Sequence, residues 1–217
     1  TRPETIYGDT AVAVNPKDDK YKDVIGKKVI VPLVNRVVPL IGDDAVLTDF
    51  GTGALKITPA HATEDFEIGE RHNLERINSI NPDGTLNETT GKYNGMNIMD
   101  ARKEIVKDLE SLGLIEKIED YIHSVGYSER TYALVEAYLS KQWFVKMDSM
   151  AKNLLDIQKT EEGINFVPQR FEKILNHWME NCKDWCISRQ LYWGHQIPAW
   201  YKDDEIYVGI KAPEGES

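Results

Sequence analysis

Two cysteines in 217 residues, Cys182 and Cys186, are too few for a disulfide framework, and neither forms a Cys-x-x-Cys knuckle of the kind that holds structural zinc. No apolar run approaches the ~20 residues a membrane-spanning helix needs. The opening Thr-Arg-Pro-Glu-Thr carries neither an initiator Met nor a basic, apolar leader. The expectation is a cytoplasmic piece of a longer chain, without a membrane partner. Positive charge is also short: Asp plus Glu number 36 against 26 Lys plus Arg, a net charge of −10. Nonspecific phosphate affinity comes from cationic neutralisation, so a general nucleic-acid sink is excluded and any RNA contact has to be local. What remains is an ordinary globular composition, 41% hydrophobic and 29% charged, long enough to bury a core without metal or disulfide.

The first half reads as sheet-rich. Short strands are predicted over residues 10–14, 28–33, 36–40, 44–47 and 54–58, separated by Asn-Pro, Ile-Gly and Gly-Asp-Asp turns. Pro59 ends the last of them, and residues 63–72 begin acidic and carry Phe66 and Ile68, as a short helix does. Asp100 is the predicted cap of a helix over 101–112, with Ile105, Val106, Leu109 and Leu112 on one face and Gly113 at its end. Beyond Tyr121 aromatics accumulate. Strands are predicted at 133–135 and 142–145 and helices at 147–157 and 168–182. There is no internal repeat.

Several segments concentrate chemistry. Thr1 to Thr5 brings two hydroxyls, a guanidinium and a carboxylate together around a stiff Pro3, although polar Pro-containing segments are mostly turns. Phe50-Gly-Thr-Gly-Ala-Leu-Lys56 joins a flexible turn to a strand but lacks the Gly-Lys-Ser/Thr of a phosphate loop. Lys56 and Thr58, two apart, face the same side of their strand. His61 and Asp65 flank a helix start, where a carboxylate is stabilised as the anion and suits an ammonium ligand. His61 also reads as a hydrogen-bonded structural residue. His177, Cys182, Cys186 and His195 lack the spacing of a metal site, and no Gly-x-Ser-x-Gly elbow is present.

Taken together, Thr1-Arg-Pro-Glu-Thr5, Gly8-Asp-Thr-Ala-Val-Ala-Val14, Gly51-Thr-Gly-Ala-Leu-Lys-Ile-Thr-Pro-Ala-His61 and Asp65-Phe-Glu-Ile-Gly69 resemble the editing domain inserted in valyl-tRNA synthetases. Leu139-Ser-Lys-Gln-Trp-Phe-Val-Lys-Met147, Phe166-Val-Pro-Gln-Arg-Phe-Glu-Lys173 and the stretch from Asp184 to Tyr201 extend the resemblance over the whole chain. The leucyl enzyme is the runner-up. Two departures stand out. The family's Thr-rich segment usually has one more Thr before Thr1, and Ala62 stands where many valyl enzymes have Asp after the His. The His-Ile-Gly-His and Lys-Met-Ser-Lys-Ser type signatures of the synthetic reaction are absent.

The resemblance implies a mixed α/β fold with a β-barrel-like editing core and peripheral helices over residues 1–138. Residues 139–217 would be a truncated segment returning to the nucleotide-binding catalytic domain. It implies a deacylase that hydrolyses the threonyl ester of mischarged Thr-tRNA(Val), with no aminoacylation by the piece itself. The full-length enzyme would ligate valine to tRNA(Val) with ATP and Mg. Asp65, Lys56, Thr1 and Arg2 are the implied catalytic residues, and Thr5, Phe50, Thr58, His61 and Asp65 the substrate-binding ones. No metal or other cofactor is expected for the ester hydrolysis. The implied partners are the acceptor end of tRNA(Val), the threonyl ester and the rest of the synthetase chain, with a monomeric enzyme. A non-catalytic tRNA-binding module is the rival reading, against which the retained Asp65, Lys56 and Thr/Arg segment argue.

Overall fold

The computed structural model describes residues 2–213. Contacts divide the chain into two units, Thr1–Leu139 and Ser140–Ser217.

Four strands build the sheet of the first unit: β1 (Ala11–Val14), β2 (Lys28–Val31), β3 (Arg36–Gly42) and β4 (Ala54–Ile57), in the order β2-β3-β1-β4. Central β1 pairs parallel with β3, Val12 opposite Leu40, and antiparallel with β4, Val12 opposite Lys56. Ala11 and Ala13 are wholly buried while Val12 between them is half-buried, the period-two pattern of a pleated strand. The expected barrel is corrected here. β2 and β4 each pair along one edge only, so the sheet stays open and the fold is a mixed α/β one. Closure requires every strand to have a neighbour on both sides at a consistent tilt, and four strands of four to seven residues do not achieve it.

Two strand expectations fail for a local reason. Residues 44–47 turn instead of extending, because the Asp43 carboxylate accepts the Ala45 amide at 2.9 Å and takes Arg71 and His72 on its other side. Residues 133–135 contribute a single bridge, Tyr127 to Leu134.

Two α-helices follow the sheet, α1 (Thr63–Arg71) and α2 (Ile98–Ser111). Ile98, Ala101 and Ile105 recur at helical spacing and are buried, joining Ile6, Tyr7, Val31, Val38, Leu86 and Tyr93 in one apolar cluster. A second cluster, Ala11, Ala13, Val46, Ile57 and Ile68, seats α1 against the sheet. Gly69 permits that seating, since a Cβ there would lie 2.9 Å from the Pro59 ring. The cap of α2 is Asn97, whose side chain accepts the Met99 amide at 3.0 Å, and not the expected Asp100. Asn97→Ala should therefore lower unfolding stability by about 1 kcal/mol, the usual worth of such a cap. Urea titration checks this, and an equal loss in Asp100→Ala would contradict the assignment.

The second unit contains β5 (Phe144–Val145), α3 (Asp148–Gln158), α4 (Arg170–Glu180), β6 (Trp185–Cys186), β7 (Ala199–Lys202) and β8 (Glu205–Val208). β5 pairs with β6 and β7 with β8, both antiparallel. The helices expected at 147–157 and 168–182 are α3 and α4. Trp178, Trp185, Trp193 and Trp200 are exposed, whereas Trp143 is half-buried and its indole N–H donates to the Tyr201 hydroxyl at 2.8 Å. Among the described residues no helix is long and apolar enough to cross a membrane.

Candidate functional site

Three pieces of chain converge at one end of the open sheet: the 3-10 turn Pro3–Gly8, the end of β4 and the start of α1. Between them lies a cavity of about 140 Å³, lined by Arg2, Thr5, Leu55, Lys56, Thr58, His61, Ala62 and Asp65. The pieces meet closely because Gly8 has no side chain. A Cβ on it would lie 2.8 Å from the Ile77 carbonyl and 2.9 Å from the Thr58 methyl.

Lys56 is held from every side. Its ammonium donates to Thr5 Oγ1 at 2.9 Å, to Asp9 Oδ1 at 2.9 Å and to Thr58 Oγ1 at 2.5 Å. An ammonium has three N–H groups, so this set engages all of them. Lys56 is thus part of the wall of the cavity, fixing two hydroxyls and a carboxylate relative to one another. The Thr58 hydroxyl in turn donates to Asp9. Burial pushes the Asp9 carboxyl above the usual range, against the opposing pull of Lys56 and the Thr58 hydroxyl.

Asp65 is the third residue of α1, and its Oδ2 accepts the Thr58 amide at 2.8 Å. The helix start alone would favour its anion. Burial dominates and raises the Asp65 carboxyl, with the Thr58 amide and Lys56 opposing. The residue is mostly buried yet lines the cavity, which makes it a desolvated acidic group with a fixed back and an open front.

His61 is 1% exposed and bridges two segments. Its Nε2 accepts the Ser79 amide at 2.9 Å, so the ring proton sits on Nδ1, facing the Ala137 carbonyl at 3.3 Å. Burial lowers its pKa, and the ring is neutral. Arg2 completes the wall. It donates from Nε to Glu4 at 3.0 Å and from one terminal nitrogen to the His61 carbonyl at 3.1 Å, and pairs with Glu136 through the other.

Of the residues singled out in the sequence, Arg2, Thr5, Lys56, Thr58, His61 and Asp65 stand around one cavity. Phe50 does not. It is 58% exposed and meets Tyr121 edge-on at 5.7 Å. Thr1 lies outside the described residues. Asp9 and Arg102 belong to the same network and were not anticipated; Glu4, the carboxylate noted in the Thr1 to Thr5 segment, joins it as well. Asp9 offered one signal, a carboxylate two residues before the strand that pairs with the Lys56 strand. Among the described residues no group of three or more His, Cys, Asp or Glu is placed to hold a metal.

The chain matches the family model of the class I tRNA synthetases (I, L, M and V) over residues 7–216. It is 60% identical to the valine–tRNA ligase of Bacillus subtilis (strain 168) over 216 residues, covering 99% of this chain and 24% of that protein. The valine–tRNA ligases of Bacillus licheniformis and Staphylococcus carnosus are each 59% identical over 216 residues, again 99% of this chain and 24% and 25% of theirs. The chain therefore spans about a quarter of the length of these relatives. The matches overturn the narrower expectation. The family model that fits is that of the synthetases themselves, which supports the class I catalytic, aminoacylating part in place of an inserted editing domain. The reading as a separate post-transfer hydrolase, and as a deacylase with no share in aminoacylation, falls with it.

Proposed function

Because the chain belongs to the class I tRNA synthetases, we propose that it is part of a valine–tRNA ligase and that its polar cavity receives the aminoacyl end of tRNA(Val). One observation carries this reading. A desolvated carboxylate, Asp65, fixed through one oxygen to the Thr58 amide, borders a small cavity together with the Arg2 guanidinium and the Thr5 and Thr58 hydroxyls. An aminoacyl adenosine offers the complement: an ammonium for the carboxylate, ester oxygens for the guanidinium, and ribose hydroxyls that can donate to the threonine oxygens, whose own protons go to the Arg2 carbonyl and to Asp9.

ATP and Mg are proposed for the whole ligase. The Gly51-Thr52-Gly53 turn does not fit a phosphate. The Gly53 amide is engaged by the Phe50 carbonyl at 3.1 Å, and the Thr52 hydroxyl by its neighbour Ala54. No step through ATP is drawn from these residues.

Replacing the matching segment of the Bacillus subtilis ligase with this chain should give an enzyme that charges tRNA(Val) with valine. A folded chimera without charging would contradict the assignment. Within the chain, Asp65→Ala should weaken binding of 3′-valylamino-3′-deoxyadenosine at least tenfold, because the ammonium loses the carboxylate that lines the cavity. Calorimetry reads it, and unchanged affinity would remove Asp65 from the site.

A further inference from the structure

Arg2 reaches the cavity from just outside the regular elements. It is the residue before a 3-10 turn, its side chain is one-third exposed, and Pro3 leaves it without a regular helix or strand behind it. Its guanidinium is nevertheless oriented, and the chief cause is Glu4. That carboxylate is fully buried, an expensive place for a charge unless it is paired and hydrogen-bonded. The partner that makes it tolerable comes from 98 residues further along the chain. Arg102, on α2, donates from Nε to Glu4 Oε2 at 2.9 Å and from a terminal nitrogen to Oε1 at 2.7 Å. This is the two-pronged arrangement in which a guanidinium fixes a carboxylate in plane as well as in place.

With both oxygens held, Glu4 Oε1 presents a fixed acceptor to Arg2 Nε. The His61 carbonyl and Glu136 take one N–H on each terminal nitrogen. Arg2 has five N–H groups, and two remain for a ligand. Arg102 does not line the cavity.

We propose that Arg102 is a positioning residue for ligand recognition: acting through the buried Glu4 carboxylate, it aims the Arg2 guanidinium at the oxygens of the aminoacyl adenosine. This rests on the reading of the cavity given above and adds to it a determinant on a different element. Electrostatics agree with the geometry, for the two guanidiniums hold the Glu4 carboxyl below its ordinary value although burial alone would raise it.

The test is a double-mutant cycle on the 217-residue chain, with 3′-valylamino-3′-deoxyadenosine as probe and thermal melting as a parallel readout. Arg102→Met should weaken binding five- to tenfold. Arg102→Lys should also weaken it, because an ammonium supplies a charge without the planar fork. In the Arg2→Ala background, Arg102→Met should bring no further loss, since the group it positions is gone. A general structural role would make the two losses multiply, and that result overturns the proposal. So does wild-type affinity in Arg102→Lys, which stands in if Arg102→Met fails to fold. The two readings fail differently. If Arg2→Ala binds as wild type, the cavity assignment is wrong and Arg102 has nothing to aim. If Arg2→Ala is weak but Arg102→Met is not, only the positioning role is lost.

Discussion

Asp9→Ala should destabilise the chain by about 3 kcal/mol, the scale of breaking a buried ion pair by removing one partner. The cost arises on the side that stays behind. Lys56 is threaded between Thr5 and Thr58 with its side chain about one-quarter exposed, so its ammonium cannot swing fully into water when the carboxylate goes. Asp9→Asn keeps an acceptor for the ammonium and the Thr58 hydroxyl and should lose less. Equal losses would mean that shape, not charge, matters there. The pH dependence has a definite sign. The folded-state pKa of Asp9 lies above its ordinary 3.8, so the folded protein binds this proton more tightly than the unfolded chain does. The stabilisation is complete at low pH and is lost as pH rises from 3.8 through the raised value. Wild type should therefore lose ground to Asp9→Asn across that window in urea titrations at stepped pH.

Ile105→Ala should cost about 2–5 kcal/mol, the range for truncating a large aliphatic side chain in a packed core. Ile105 is wholly buried and lies in the apolar cluster that ties α2 to the sheet and, through Ile6 and Tyr7, to the turn that follows Arg2. Leu109, one helical turn on, is only partly buried against the same cluster, and Leu109→Ala should cost clearly less. A reversed order in chemical denaturation would mean that α2 is rotated about its axis relative to this description. Since Arg102 shares the helix, a badly seated α2 in Ile105→Ala should also weaken ligand binding.

Local chemistry made much of this legible in advance. β1, β3 and β4 announce themselves as short apolar runs between turn residues, α1 by its acidic start and α2 by helical spacing, although not by its true cap. What failed was decided at a distance. Residues 44–47 have the composition of a strand, but Asp43 draws Arg71 and His72 from the end of α1 and commits the backbone to a turn, which no window around residue 44 contains. The barrel came from the resemblance and from counting strands. Composition does not say which edges remain unpaired.

The cavity shows the same division. Lys56 and Thr58 share a strand face, and His61 and Asp65 flank one helix start, so four of its residues could be grouped from spacing alone. Glu4 and Arg102 could not, because nothing in the intervening chain links a turn residue to a helix residue 98 positions away. The narrower functional expectation failed for a related reason: short motifs report the groups that line a pocket, while the reaction served depends on the larger enzyme around it.

The parallel pairing of β1 with β3 and the later arrival of β4 also set an order in time. Ala11 is made before its antiparallel neighbour Ile57, and the strand cannot satisfy both edges until more than forty further residues have left the ribosome. During that interval an apolar strand with two open edges is exposed, and such non-local pairings close slowly. β2 and β3 form a local hairpin and can assemble first, offering β1 one edge while the other waits. The nascent chain is then most prone to association with its neighbours just before residue 57 emerges, and ribosome-bound chains halted on either side of that point should differ sharply in protease resistance.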